Sequence, residues 1–233
     1  MSSHHILHAF EDSLARVKQD VMTMASLAQQ NIANAVRGVV ERNTDVCNEV
    51  IAVDDEVDQL EKQVDRDGLE VIMKYSPVAK DLRRVLAAMK IGQQLERIAD
   101  EAVTIARRGR KMNQHPALPE TQLIQSVYDL AASMVRDAVT AFNTGDLKLA
   151  LALEARDQPL DDIHAATVKR MIERTSEDVG RIDDYIDLMT VVRSLERVGD
   201  HAVNIAEDVV YAETAHDIRH GGERPRLESP LRA

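Results

Sequence analysis

One stretch of twelve residues occurs twice in this chain, one hundred positions apart: LERIADEAVTIA at 95–106 and LERVGDHAVNIA at 195–206. Eight of the twelve positions are identical, among them Glu96/Glu196, Arg97/Arg197 and Asp100/Asp200. Agreement of that density at a single spacing marks a tandem duplication, so the chain is expected to fold as two similar halves. Within the unit the acids stand at i and i+4, which places both carboxylates on one side of a helix.

Composition points to helices. Of 233 residues 44% are hydrophobic, enough for a core, while aromatics are 3%, Trp is absent, and there are 9 Gly and 6 Pro. Such a mix suits long helices packed through aliphatic stripes. A single cysteine, Cys47, excludes an internal disulfide framework; it reads as a small buried hydrophobe in a reducing cytoplasm. Apolar runs such as Val85–Met89 fall far short of the roughly 20 residues a spanning helix needs. The start, Met-Ser-Ser-His-His, lacks the basic and apolar regions of an export signal. With a net charge of −11 and scattered basic residues, nucleic acid is not an expected partner.

Apolar periodicity predicts six helices. The first runs from about Phe10 to Arg42, with Leu14, Val17, Val21, Met24, Leu27, Ile32, Val36 and Val39 on one stripe. Asn43-Thr44-Asp45 interrupts it, and Thr44 or Asp45 is expected to cap a second helix from about Val46 to Tyr75. Ser76-Pro77 reads as an N-cap and first-position proline of a third helix reaching about Lys111. Lys111–Glu120 holds two prolines and no periodicity. Helices are expected again at about 121–142, 147–174 and 180–212, with Asn143-Thr144 one hundred positions after Asn43-Thr44. The expectation is an all-α fold of two tandem three-helix bundles, 1–112 and 121–213, joined by a linker at 113–120. A flexible tail at 214–233 is expected to fray.

On a helical wheel Leu95, Ile98, Ala102 and Ile105 share a face, as do Leu195, Val198, Ala202 and Ile205. Glu96/Asp100 and Glu196/Asp200 then point outward. A solvated face is the plain explanation, but like charges at i, i+4 destabilise a helix by about 0.2–0.5 kcal/mol unless a cation lies between them. Asp54/Asp58 in the second helix and Asp157/Asp161 in the fifth have the same spacing. Two neighbouring helices in each half can thus supply four carboxylates to one patch. Oxygen-only sets suit Mg, Mn or Fe, and Zn less well.

These residues resemble the PhoU family of phosphate-transport regulators. The resemblance is carried by the doubled ERIAD/ERVGD unit, the two three-helix bundles and the segment SPVAKDLR at 76–83, and it runs from His4-His5-Ile6 to Arg219-His220-Gly221-Gly222. The family's acidic metal motifs map onto Asp54/Asp58 with Glu96/Asp100, and onto Asp157/Asp161 with Glu196/Asp200. The resemblance implies a cytoplasmic, dimeric regulator with metal clusters on its bundle surfaces. It would act between the phosphate ABC transporter, through its ATPase subunit, and a sensor histidine kinase, damping the phosphate-starvation response. The acidic balance argues against direct attachment to anionic lipid, so membrane association would run through the transporter.

Three departures bear on that reading. Ala99 replaces the glycine kept at Gly199, and a small residue at both predicts little effect. Pro159 lies between Asp157 and Asp161, where an interior proline would kink the helix and displace one carboxylate. The stretch Arg174–Asp184 differs from the family's usual connector, which leaves open a divergent paralogue with another partner.

Several other residues admit both a functional and a plainer role. His201 could reach a metal from the rim or be a surface histidine. His4, His5 and His8 read as a native helix start. Glu213-x-x-His216 matches the spacing of di-iron proteins but occurs once, in a tail, whereas a di-metal oxidase needs it twice and facing inward. Arg97 and Arg197 could bind phosphate or form surface ion pairs. No nucleophile–base pattern, Gly-rich phosphate loop or HExxH motif is present, so no enzyme is expected. The alternatives to a metal-bearing regulator are a metal-free helical adaptor and, less well supported, a carboxylate-bridged di-metal enzyme.

Overall fold

The aliphatic stripe of the first segment forms one unbroken helix, α1 (Ser3–Val40), burying Val17, Val21, Met24, Ala28, Ile32, Ala35 and Val39. The computed structural model describes residues 3–219 and 225, with side chains from His8 onward. It is all-α, with no strand among the described residues. After α1 come α2 (Thr44–Ala52), α3 (Asp54–Tyr75) and α4 (Ala79–Met112). The second half repeats the plan with α5 (Ile124–Thr144), α6 (Leu147–Leu153), α7 (Asp157–Glu177) and α8 (Ile182–Thr214).

The expected second and fifth helices are each divided. At Val53 the backbone leaves helical geometry, so α2 ends and α3 begins at Asp54. A 3₁₀ turn, Glu154–Arg156, separates α6 from α7 in the same way. Pro159 therefore sits in the first turn of α7, where a missing N–H costs no helical hydrogen bond, and the expected kink does not arise. Two caps also differ from expectation. Asn43, not Thr44 or Asp45, caps α2, its side chain accepting from the backbone N–H groups of Asp45 and Val46. Ser76 is the left-handed C-cap of α3, and α4 starts only at Ala79. Asn43→Ala should cost about 1 kcal/mol and Asn43→Gly a few tenths, read from denaturation midpoints. Equal losses for the two would remove the capping account.

In the second half Asn143 and Thr144 remain helical, and the break narrows to Gly145, at φ 70°, and Asp146, which caps α6. Asp146 accepts from the N–H groups of Lys148 and Leu149.

Helix α1 packs on α3 and α4, and α5 on α7 and α8. The halves meet chiefly where α4 lies against α8, with a smaller contact between α1 and α5. Cross-contacts Lys90–Asp208, Gln94–His201, Glu101–Arg197 and Arg108–Asp187 show that α4 and α8 run antiparallel. Leu95, Ile98 and Ile105 of α4 and Leu195, Val198 and Ile205 of α8 are buried in the core. Cys47 is buried as expected: a Cβ on Gly38 would meet its Sγ at 2.6 Å.

The segment between the halves is fastened down. Arg42 Nη2 donates to the carbonyl of Asn113 at 2.9 Å, and Arg181 donates to that of Pro116. His115 Nδ1 lies 2.7 Å from the buried Asp184, which also accepts from Arg181. Burial works to raise the Asp184 carboxyl, yet these hydrogen bonds outweigh it and hold it below the usual carboxylate range. Asp187, 1% exposed, is paired with Arg108 at 2.9 Å and Lys111 at 2.8 Å. At the far end Ile218 is buried and Asp217 pairs with Arg219. The fraying expected of the tail concerns residues of which 220–224 and 226–233 lie outside the described set.

Candidate metal centres

The breaks before α3 and α7 set the positions of the acidic pairs. Asp54 is the first residue of α3 and Asp157 the first of α7, at helix starts, where the helix dipole favours negative charge. Asp58 and Asp161 follow one turn later on the same face. The facing pairs, Glu96/Asp100 and Glu196/Asp200, lie midway along α4 and α8. Glu96, Glu196, Asp54, Asp58, Asp157 and Asp161 are half-buried, while Asp100 and Asp200 are exposed. All eight carboxylates are thus at the surface, as expected, and none is in the core.

Their electrostatics show that each half gathers its carboxylates. Burial, followed by repulsion from Asp100, Glu61 and Asp58, pushes Glu96 up to about 7, against the opposing charge of Arg97. Asp54 is raised by burial and by Asp100 and Asp58, with Arg107 opposing. In the second half, burial and then Glu196, Asp157 and Asp161 push Asp200 up to about 6, with Arg197 opposing. Asp157 is raised by burial and by Asp161, and its Oδ1 is buried without a hydrogen-bond partner.

The donors fit a hard cation in kind: they are all oxygens, crowded enough to hold protons when no cation is near, and one is an orphaned oxygen. As placed, no group of three or more His, Cys, Asp or Glu among the described residues converges to hold a metal ion. Chelation would require carboxylate rotation, which exposed and half-exposed side chains allow.

Glu61 is a member of the first group that sequence reasoning missed. It is itself raised by burial and by Asp65 and Asp58. Its position three residues after Asp58, on the same helical face, was the available signal. His164 stands at the matching distance after Asp161.

The remaining temptations resolve otherwise. His201 is buried and turns toward α4, its Nδ1 2.9 Å from Gln94 Oε1, so it is not the surface histidine expected. Arg197 pairs with the buried Glu101 at 2.7 Å, across the seam between the halves. Glu213 receives Lys80 and Arg84, and His216 bonds to Thr214, so these two form no metal motif.

Duplicated helical bundles whose last helices, α4 and α8, pack antiparallel and carry outward carboxylate pairs define a class of helical-repeat proteins with acidic faces. The family model of the PhoU domain matches residues 21–109 and 124–209, one match in each half. The chain belongs to the PhoU family. It is 32% identical over 221 residues to a phosphate-specific transport system accessory protein PhoU homolog of Pseudomonas putida, covering 94% of this chain and 86% of the relative. A homolog of the same description from Pseudomonas aeruginosa is 30% identical, with 94% and 91% covered. The crystal structure of PhoU from Pseudomonas aeruginosa superposes with a TM-score of 0.86 at 28% identity, over 88% of this chain and 99% of that one. PhoU from Streptococcus pneumoniae shares the fold, with a TM-score of 0.81 at 22% identity over 89% of this chain and 98% of that one.

Proposed function

We propose that this protein is an accessory regulator of phosphate transport that presents two acidic, cation-binding faces to partner proteins. The observation that carries the reading is the doubled carboxylate group, Asp54/Asp58 with Glu96/Asp100 and Asp157/Asp161 with Glu196/Asp200, on corresponding outer faces of the two halves. Membership in a family whose relatives are described as phosphate-specific transport system accessory proteins supplies the process. The partners in this reading are the ATPase subunit of the phosphate ABC transporter and a sensor histidine kinase. No described helix is long and apolar enough to cross a membrane, so attachment to a transporter would be through protein contact. The protein would work in the cytoplasm, as a homodimer, and without catalysis.

The chemistry a bound Fe, Mn, Mg or Zn ion supplies is neutralisation of the repelling charges and a fixed positive centre on the face. The chain's own part is to hold the four oxygens of each group on adjacent helices. Because those helices are packed through their opposite faces, binding changes surface charge without remaking the core. A switch of that kind alters which partner surface is attracted while the fold stays constant.

The test is genetic. Deleting the gene should make a phosphate-starvation reporter such as alkaline phosphatase constitutive in excess phosphate. Wild type should restore repression, and a variant replacing Glu96, Asp100, Glu196 and Asp200 should not. Normal repression in the deletion strain would overturn the regulator reading. A metal-free adaptor is favoured by one observation, the lack of a converged ligand set among the described residues. Metal analysis of the purified chain separates the two, since an adaptor retains no stoichiometric metal.

A further inference from the structure

A cavity of about 320 Å³ opens between the two halves, and neither acidic face contributes to it. Its floor is apolar, made by Leu14 of α1, Ala88 of α4, Phe142 of α5 and Val209 of α8. Its rim carries Lys18, Arg84 and Glu213. Small-ligand sites have volumes of about 300–1,000 Å³ and favour the junction of two domains.

The duplication supplies a counterpart for comparison. The ends of α5 and α8 and the start of α4 bound the cavity; the repeat matches them to the ends of α1 and α4 and the start of α8. There the segment joining the halves lies in the gap. Pro116 and the buried Leu118 sit among Val39, Met112 and Asp184, and about 10 Å³ is left. The carbonyls of Asn113 and Pro116 accept from Arg42 and Arg181. A filled site of this plan seats apolar groups between helix ends and turns oxygens toward cations. At the cavity α1 runs past as an unbroken helix and does not follow that contour, so a gap remains among the described residues.

Four cations stand at the rim or are tied to it. Lys80 and Arg84 pair with Glu213, and Arg83 donates to the carbonyl of Ala212 at 3.2 Å. Lys18 Nζ donates to the carbonyl of Asn143 at 2.6 Å. Against them stand one carboxylate and the carbonyl ends of α5 and α8, each worth about half a negative charge. The balance is about two positive charges, in a chain whose net charge is −11. Lys18 pairs with no carboxylate among the described residues, which leaves two of its three N–H groups to give. Thr144 donates its hydroxyl hydrogen to the carbonyl of Thr140. What the rim offers a ligand is therefore positive charge and N–H donors.

We propose that this cavity binds a small amphipathic carboxylate, of the size of octanoate. Its apolar body lies on Leu14, Ala88, Phe142 and Val209, and its carboxylate accepts from Lys18 and Arg84 in charge-assisted hydrogen bonds. Free phosphate satisfies the rim but leaves the floor uncovered, so it is not the ligand of this site. A bound acid touches α1 and α4 of one half and α5 and α8 of the other, and so fastens the halves together where the linker does not. The inference goes beyond the regulator reading and uses neither acidic face.

Calorimetric titration of the full chain with octanoate at pH 8 tests it. Octanoate should bind saturably, one per chain, and more than about tenfold tighter than acetate, which has no body, or octanol, which has no charge. Affinity should rise roughly fourfold per methylene from butanoate to octanoate. Lys18→Gln, a surface change, should weaken octanoate about fivefold or more, and adding Arg84→Gln should bring it level with octanol. Ala88→Leu, which fills the floor, should abolish binding; if that variant does not fold, Lys18→Gln still decides. Uptake that does not saturate, equal affinity for octanoate and octanol, binding unchanged in Lys18→Gln, or displacement of octanoate by equimolar inorganic phosphate would overturn the proposal. The titration contains neither partner protein nor metal, so its failure leaves the genetic test standing, and the converse holds.

Discussion

Replacing Glu96 by glutamine and Asp200 by asparagine should stabilise the cation-free chain at pH 8 and, in the metal-bearing reading, at the same time remove affinity for divalent ions. Both carboxyls are raised in the folded state, Glu96 from 4.5 to about 7 and Asp200 from 3.8 to about 6, by burial first and by their acidic neighbours next. Between the unfolded and folded values the folded chain holds more protons than the unfolded chain. Stability therefore falls as pH rises through that window, about 4.5 to 7 for Glu96 and about 3.8 to 6 for Asp200, and stays low above it. Since both groups are largely open to solvent, the full linkage must be discounted, to about 1–2 kcal/mol for Glu96 and less for Asp200. Gln and Asn imitate the protonated forms and escape the loss. Urea denaturation in chelator at pH 5 and pH 8 checks this: the wild type should lose more stability between the two than the double variant does. Identical pH dependence in both would show that the crowding is not real. Adding Mn or Mg at pH 8 should then stabilise only the wild type, by mass action.

Gly199→Val should cost about 2 kcal/mol or more, although glycine is a poor residue for the middle of a helix. A Cβ at 199 would lie 2.1 Å from Leu160 Cδ2, with Leu160 Cγ and Met134 Cε each at 3.6 Å. Leu160 and Met134 are fully buried, so neither can withdraw without opening the contact between α7 and α8. Overpacking of this kind costs roughly 1–3 kcal/mol, more than the gain of about 1 kcal/mol from removing a helical glycine. The expectation of little effect concerns alanine at position 99; at 199 there is no room for a Cβ. In the register that aligns Asp54/Asp58 with Asp157/Asp161, the first-half counterpart of Leu160 is Val57, also buried. The methyl present at 99 and absent at 199 is balanced by the larger side chain on α7. Gly199→Ala combined with Leu160→Val should therefore recover most of what Gly199→Ala alone loses. A thermal scan in which the single variants are neutral would refute the close contact.

The main helices were legible because their stripes are long and aliphatic, and Leu95, Ile98, Leu195 and Val198 sit on the core face assigned to them. The divisions at Val53 and at Glu154–Arg156 were not, since a helix that stops and restarts in line keeps the same periodicity. Pro159 was the signal for the second division, but a proline reads as a first-turn residue only once the helix start is known. The outward placement of the eight paired acids was legible from spacing alone. The polar seam was not: Glu101, Asp187, Asp208 and His201 are buried only because a second copy of the same helix lies against the first, and periodicity within one helix carries no record of its partner.

Asp54 and Asp157 each open a helix, and that placement sets how firmly either face could keep an ion. The amide groups that steady a carboxylate at a helix start repel a cation held by it, by about 0.3–1 kcal/mol at a surface site. Burial and acidic neighbours nonetheless leave both anchoring carboxyls raised, so in the metal-bearing reading the helix start favours neither a firmly charged acid nor its cargo. In the metal-bearing reading such a centre would exchange its ion with the surrounding solution more readily than a mid-helix cluster of the same four acids. Its occupancy would then follow ion supply from moment to moment, which is the behaviour of a gauge rather than a fastener.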